Sequence, residues 1–181
     1  MLDEILARIW SDLTTAIGQG SNPYRLMQLA TVDAHGQPDT STVVLRDADT
    51  LTGTVLFFVD KRSAKYTQLR GNPRVALVAL APGATQQLRL QGQASERPDT
   101  PRYWQQARAT TQALFRHGGV PGAVIDSPAA AYRQPEDGLQ HFAVISVRVN
   151  RLEWLDLTRP VHQRARFVRQ ADDWQAHWIA P

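Results

Sequence analysis

The stretch LMQLATVDAHGQPDTSTVVLR, residues 26–46, decides the fold. Leu26 to Val32 reads as a strand, and Asp33-Ala34-His35-Gly36 supplies the chemistry of a hairpin turn. Thr40 to Arg46, rich in β-branched residues, is the returning strand. Strands joined by so short a turn pair antiparallel, because a parallel neighbour needs a crossover of a dozen or more residues.

The same texture continues outward. Asp47 to Gly53 reads as a polar loop, and Thr54 to Val59 as a strand buried on both sides. Asp60 to Leu69 reads as a short helix that Ser63 or Asp60 can cap and that Gly71-Asn72-Pro73 ends. Val75 to Leu80 is a further strand. Gln86 to Ala94 alternates cleanly, with Leu88, Leu90, Gly92 and Ala94 on one face and Gln87, Arg89, Gln91 and Gln93 on the other. Asp99 or Thr100 before Pro101 opens a helix expected to run to about Arg116, while 120–138, rich in Pro, Ala and Gly, carries no assignment. Residues 142–149, 151–155, 164–169 and 174–179 close the chain as short strands. Upstream, Leu2, Ile5, Leu6, Ile9, Trp10, Leu13, Ala16 and Ile17 predict an amphipathic helix over 2–17. The expected fold is therefore mainly β, an antiparallel barrel with appended helices, in one domain spanning 1–181.

Composition narrows the chemistry. The chain of 181 residues has no cysteine, which excludes disulfides, thiolate nucleophiles and cysteine-held metals. The five histidines show no ligand spacing, so no metal site is expected. No apolar run approaches the roughly 20 residues that span a bilayer. Acids within MLDEILARIWSDL do not suit a signal peptide, so the expectation is a cytoplasmic protein without membrane association. The net charge of +3 is spread among acids, without a basic stripe, and no nucleic-acid partner is expected.

One cluster points to a ligand. Asp60-Lys61-Arg62-Ser63-Ala64-Lys65 is a strand-to-helix junction whose free N–H groups and dipole favour an anion. Arg62 and Lys65, three apart, are expected to lean over the same helix end. Cations at a helix N-terminus oppose the dipole, and a bound anion would offset that conflict. Gln87 offers a donor and an acceptor suited to the mixed edge of a heterocycle.

Together, the segments 26–46, VLFFVDKRSAKYTQLRGNPRVAL (55–77), QQLRLQGQA (86–94), EWLDLTRPVHQRARF (153–167) and the terminal WQAHWIAP (174–181) resemble the pyridoxamine 5'-phosphate oxidase family, the FMN-binding split β-barrels. The resemblance covers nearly the whole chain from residue 26 and implies FMN as cofactor. It implies that Ser41, Thr42, Val43, Val44 and Arg46 lie along the flavin, Arg46 near the ring or substrate. Phe58 and Val59 would contact the flavin, Arg62, Ser63 and Lys65 would hold its phosphate, and Gln87 would meet the isoalloxazine. Trp154 and Arg164 match flavin contacts usually supplied by a second subunit, which implies a homodimer with the cofactor at its interface. Tyr103 and His162 match substrate contacts, with His162 the one candidate for acid–base work. Ser41 stands where the family carries an arginine, and Ala107 and Pro160 stand where it carries basic substrate contacts. These departures resemble the divergent, oxidase-related branch, with a small-molecule substrate that the residues do not identify. Two alternatives stay open: a split barrel that holds deazaflavin or haem, and a protein that stores or senses flavin without turnover.

Overall fold

The computed structural model describes residues 1–81, 83, 85–132, 137–171 and 173–181. Its elements run α1 (Leu2–Ala16), a 3-10 turn (Pro23–Arg25), β1 (Leu26–Val32), β2 (Pro38–Asp49), β3 (Thr54–Asp60), α2 (Ala64–Gly71), β4 (Arg74–Leu80) and β5 (Gln86–Glu96). There follow α3 (Thr100–Gln106), α4 (Ala109–Ala113), a second 3-10 turn (Pro128–Tyr132), α5 (Gly138–His141), β6 (Phe142–Asp156), β7 (Gln163–Gln170) and β8 (Asp173–Trp178). The strands among the described residues follow the order β3-β2-β1-β4-β5-β6-β7-β8, all antiparallel. A further pairing of β3 with β6 closes the first six into a barrel and leaves β7 and β8 as an extension. The mainly β fold expected from the sequence is the fold observed.

Strand alternation sorts the side chains. Met27, Leu29, Val43, Leu45, Val55, Phe57, Leu77, Leu88, Leu90, Leu152, Trp154 and Phe167 fill the barrel. Leucines and β-branched residues at every second position make one face of each strand apolar, and burying that face drives closure. Helix α1 lays Ile5, Ile9, Leu13 and Ala16 on this core against β2, because a spacing of three or four residues forms a single helical stripe. Outside the barrel, Leu56, Trp104, Phe115, Phe142 and Val144 form a second cluster under α3 and α4. Those two short helices are thereby pinned to the outer face of β3 and β6.

Three expectations are corrected, and the unassigned stretch takes a structure. The loop expected at 47–53 is strand in its first part: β2 continues to Asp49, and a four-residue turn remains before Thr54. Gly53 sits in that turn at φ 65, where a side chain would be strained. The expected helix to Arg116 is broken at Ala107 and Arg108, both extended, into α3 and α4. The strands expected at 142–149 and 151–155 are one strand, β6, with Asn150 as an extra residue opposite the Gln91–Gly92 step. The unassigned stretch 120–138 holds a 3-10 turn and the start of α5, and its residues 133–136 lie outside the described residues.

At the β6 bulge Gly92 faces the Arg148 carbonyl so closely that a Cβ would overlap the backbone. Gly92→Ala is therefore expected to destabilise the fold by about 1–3 kcal/mol, the usual cost of overpacking, seen as a lower urea midpoint.

Candidate functional site

A second bulge sets the site. Leu45 pairs with Phe57 and Asp47 with Leu56, so Arg46 is the extra residue of β2. Bulges re-aim side chains, and this one turns Arg46 out of the barrel wall into a cleft of about 570 Å³. Its guanidinium stacks over the Phe58 ring at 5.0 Å. Phe58 in turn meets Tyr103 edge-on at 6.2 Å and Phe142 at 4.7 Å. Arg25, from the first 3-10 turn, and Arg108, from the α3–α4 junction, line the same cleft. Burial, with Arg25 and Arg108 nearby, holds the Arg46 guanidinium below the usual arginine range. Its Nε is buried and has no hydrogen-bond partner among the described residues.

The 60–65 corner behaves differently from expectation. Arg62 does not lean over the helix end. It donates from Nε and Nη2 to the Asp60 carboxylate, at 3.0 and 2.7 Å, and from Nη1 to the His117 carbonyl at 3.0 Å. The Ser63 hydroxyl turns back to the Asp60 carbonyl at 2.6 Å. A carboxylate two residues away competes well for a guanidinium, since the bidentate pair is strong and local. Lys65, half-buried in the first turn of α2, makes no hydrogen bond or ion pair among the described residues. The corner thus presents one cation, not two, beside the helix N-terminus.

The outer face of β5, β6 and β7 forms a third region. Gln87, Leu155 and Arg164 make one cross-strand row, and Arg89, Glu153 and Arg166 the next. Glu153 is 5% exposed and accepts from Arg164 at 2.7 Å, from Arg166 at 2.9 Å and from Arg151, with Arg89 3.7 Å away. Burial alone would raise its pKa, but the hydrogen bonds from Arg151, Arg164 and Arg166 outweigh that and lower it to about 2.

Arg46, Phe58, Tyr103 and Val44 therefore share the cleft, whereas Gln87 and Arg164 share the outer sheet face and do not line it. The side chains of Val43 and Val59 point into the barrel. Trp154 does so too, packed in the core with Arg8 over its ring at 5.2 Å. The strand period places Trp154 opposite Ala165, so it cannot share a face with Arg164, and Leu155 occupies the outward position. Thr42 is exposed, and the Ser41 hydroxyl is buried without a partner among the described residues. His162 is exposed in the segment between β6 and β7 and does not line the cleft. Arg25 and Glu153 were missed. Residues 164 and 166 share a face with 151 and 153 by alternation, which was the available signal for Glu153; Arg25 had none.

Comparison with known proteins agrees with this architecture. Residues 7–96 match the family described as pyridoxamine 5'-phosphate oxidase, FMN-binding domain. The pyridoxine/pyridoxamine 5'-phosphate oxidase of Ralstonia pickettii is 32% identical over 168 residues, covering 86% of this chain and 78% of that protein. A pyridoxamine 5'-phosphate oxidase-related, FMN binding protein from Nostoc punctiforme superposes with a TM-score of 0.78 at 22% identity, covering 97% of this chain and 95% of that one. PhzG from Burkholderia lata, solved with tetrahydrophenazine-1-carboxylic acid, gives 0.77 at 17% identity, covering 98% and 91%. At these identities the two structures speak for the fold.

The depressed Glu153 pKa makes an acid-stability prediction. A carboxylate stronger in the folded than the unfolded chain stabilises above its ordinary value of 4.5, and that gain is lost as pH falls toward about 2. Unfolding midpoints should fall across this window, and Glu153→Gln should flatten the fall while lowering stability at neutral pH. An unchanged slope in the variant would count against it.

Proposed function

Because the chain belongs to the pyridoxamine 5'-phosphate oxidase family of FMN-binding domains, we propose that it is an FMN-dependent oxidoreductase acting on a small molecule in the Arg46–Tyr103 cleft. The observation that carries this reading is an orphaned polar atom in the cleft. Among the described residues Arg46 Nε is buried without a hydrogen-bond partner, on a side chain that the β2 bulge turns into the cleft. A buried polar group left unpaired costs about 1–3 kcal/mol, so this atom asks for a ligand's polar edge.

The residues fit the cofactor. Lys65 and the first N–H groups of α2 suit a phosphate dianion. Phe58 offers an aromatic face, and Arg46 offers a charge where a heterocycle gains electron density. FMN, when bound, supplies two-electron redox chemistry. The chain's task is to neutralise the phosphate, orient the ring and exclude water from the cleft. Gln87 and Arg164 lie away from the cleft within one protomer, so their part in the site requires a second copy, and a homodimer with the cofactor between subunits is part of the proposal.

Protein purified from a riboflavin-replete host is expected to be yellow, with about one FMN per chain. Lys65→Ala should weaken FMN binding by about tenfold or more, the worth of a charged hydrogen bond, whereas Arg62→Ala should leave it within about threefold because Asp60 already holds that guanidinium. Turnover with pyridoxine 5'-phosphate and pyridoxamine 5'-phosphate tests the redox step. Colourless protein that takes up no added FMN would overturn the reading.

A further inference from the structure

Phe58 and Asp60 stand two residues apart on β3 and share its outer face, about 7 Å from each other. The tail of a flavin seated on Phe58 with its phosphate at Lys65 therefore has Asp60 within reach. The corner already holds an anion of the chain's own. The Asp60 carboxylate, 10% exposed, accepts from the Arg62 backbone N–H at 2.8 Å and from Nε and Nη2 of the same residue at 3.0 and 2.7 Å.

The cations of the corner are divided among acids. Lys61 Nζ lies 3.4 Å from Glu96, which also accepts from the Tyr66 hydroxyl at 2.7 Å. Arg62 is held by Asp60 and by the His117 carbonyl. Of the three cations in residues 60–65, Lys65 alone has no acidic partner among the described residues. The N–H groups of Lys61, Arg62 and Ser63 are taken as well, by the His141 carbonyl, the Asp60 carboxylate and the Asp60 carbonyl. One helical turn beyond Lys65, Gln68 Nε2 donates to Asp39 at 3.1 Å, so β2 brings the helix a carboxylate and not a cation. A phosphate dianion in this corner gains Lys65 and the N–H groups that open α2, and it meets Asp60 as a like charge, which is costly at close range. A hydroxyl meets no such penalty, and a carboxylate with a lone pair to spare accepts from it.

We propose that Asp60 sets the tail specificity of this flavin site, and that the chain takes the uncharged flavin, riboflavin, nearly as well as FMN. The inference rests on the flavin reading above and adds which tail the site selects. Phe58 and Arg46 serve the ring, which the two flavins share. The phosphate adds about what Lys65 supplies, because Asp60 offsets the helix N–H groups.

The test is titration of the purified protein, dialysed free of any flavin it carries, with FMN and with riboflavin, read by quenching of flavin fluorescence. FMN should bind about tenfold more tightly than riboflavin, the worth of one charged hydrogen bond. Lys65→Ala should bring the ratio to about one. Asp60→Asn keeps an acceptor for the Arg62 N–H and removes the charge, so it should raise the ratio about tenfold or more while riboflavin affinity stays within about threefold. A purely structural role for Asp60 would move both flavins together. A wild-type ratio above about thirtyfold, or a folded Asp60→Asn that leaves the ratio unchanged, would overturn the assignment. If circular dichroism shows Asp60→Asn misfolded, the wild-type ratio alone decides. The two readings fail differently: protein that binds neither flavin overturns the cofactor reading and this specificity with it, whereas protein that binds both with a ratio above about thirtyfold overturns the specificity alone.

Discussion

The structure depends on β6 being paired along both edges. Its first half closes the barrel against β3, its second half carries β7, and β5 runs beside almost its whole length. A strand serving two partners on one edge must change neighbours midway, and the extra residue at Asn150 falls where it does so. The first half packs Ala143, Ile145, Val147 and Val149 inside; after the bulge Leu152 and Trp154 take over that role. With the phase reset there, both halves bury an apolar face and both offer an outer face for other uses.

Those outer faces divide the chemistry. Beside the first half, Phe142 and Val144 seat the aromatic cluster that fixes α3 and α4, and so fix Tyr103 and Arg108 at the cleft. Beside the second half, Glu153 gathers four guanidiniums into an ordered cationic surface. Lone surface ion pairs contribute little, but a buried carboxylate with several donors holds its partners in fixed geometry. The two regions share a strand and differ in character. One is aromatic and enclosed; the other is polar and open.

Much of this was legible in the residues. The hairpin at 33–36, the alternation at 86–94 and the helical stripe at 2–17 each follow from a local rule, and each is present. What escaped depended on contacts distant in sequence, or on phase. The polar residues at 47 and 49 read as loop because nothing local reveals that β3 lies alongside. Trp154 was named through resemblance, and the bulge that turns its side chain into the core is invisible without β5. Arg62 read as an anion ligand because a row of cations does not say which carboxylate will take each; Asp60, two residues before it, does so here. Arg46, Phe58 and Tyr103 were identified through resemblance, and the cleft joins them.

The extra residue in β2 acts as a phase shifter in the chain. Upstream of it Val43 and Leu45 face the core; downstream Ala48 resumes the inward role one position late by a strict alternation count. Loss of the Arg46 codon would restore a regular ladder and remove the guanidinium from the cleft while leaving Leu45 and Ala48 facing the core. A one-residue change of length at this point therefore alters the chemistry of the cleft while the flanking strand keeps its inward face.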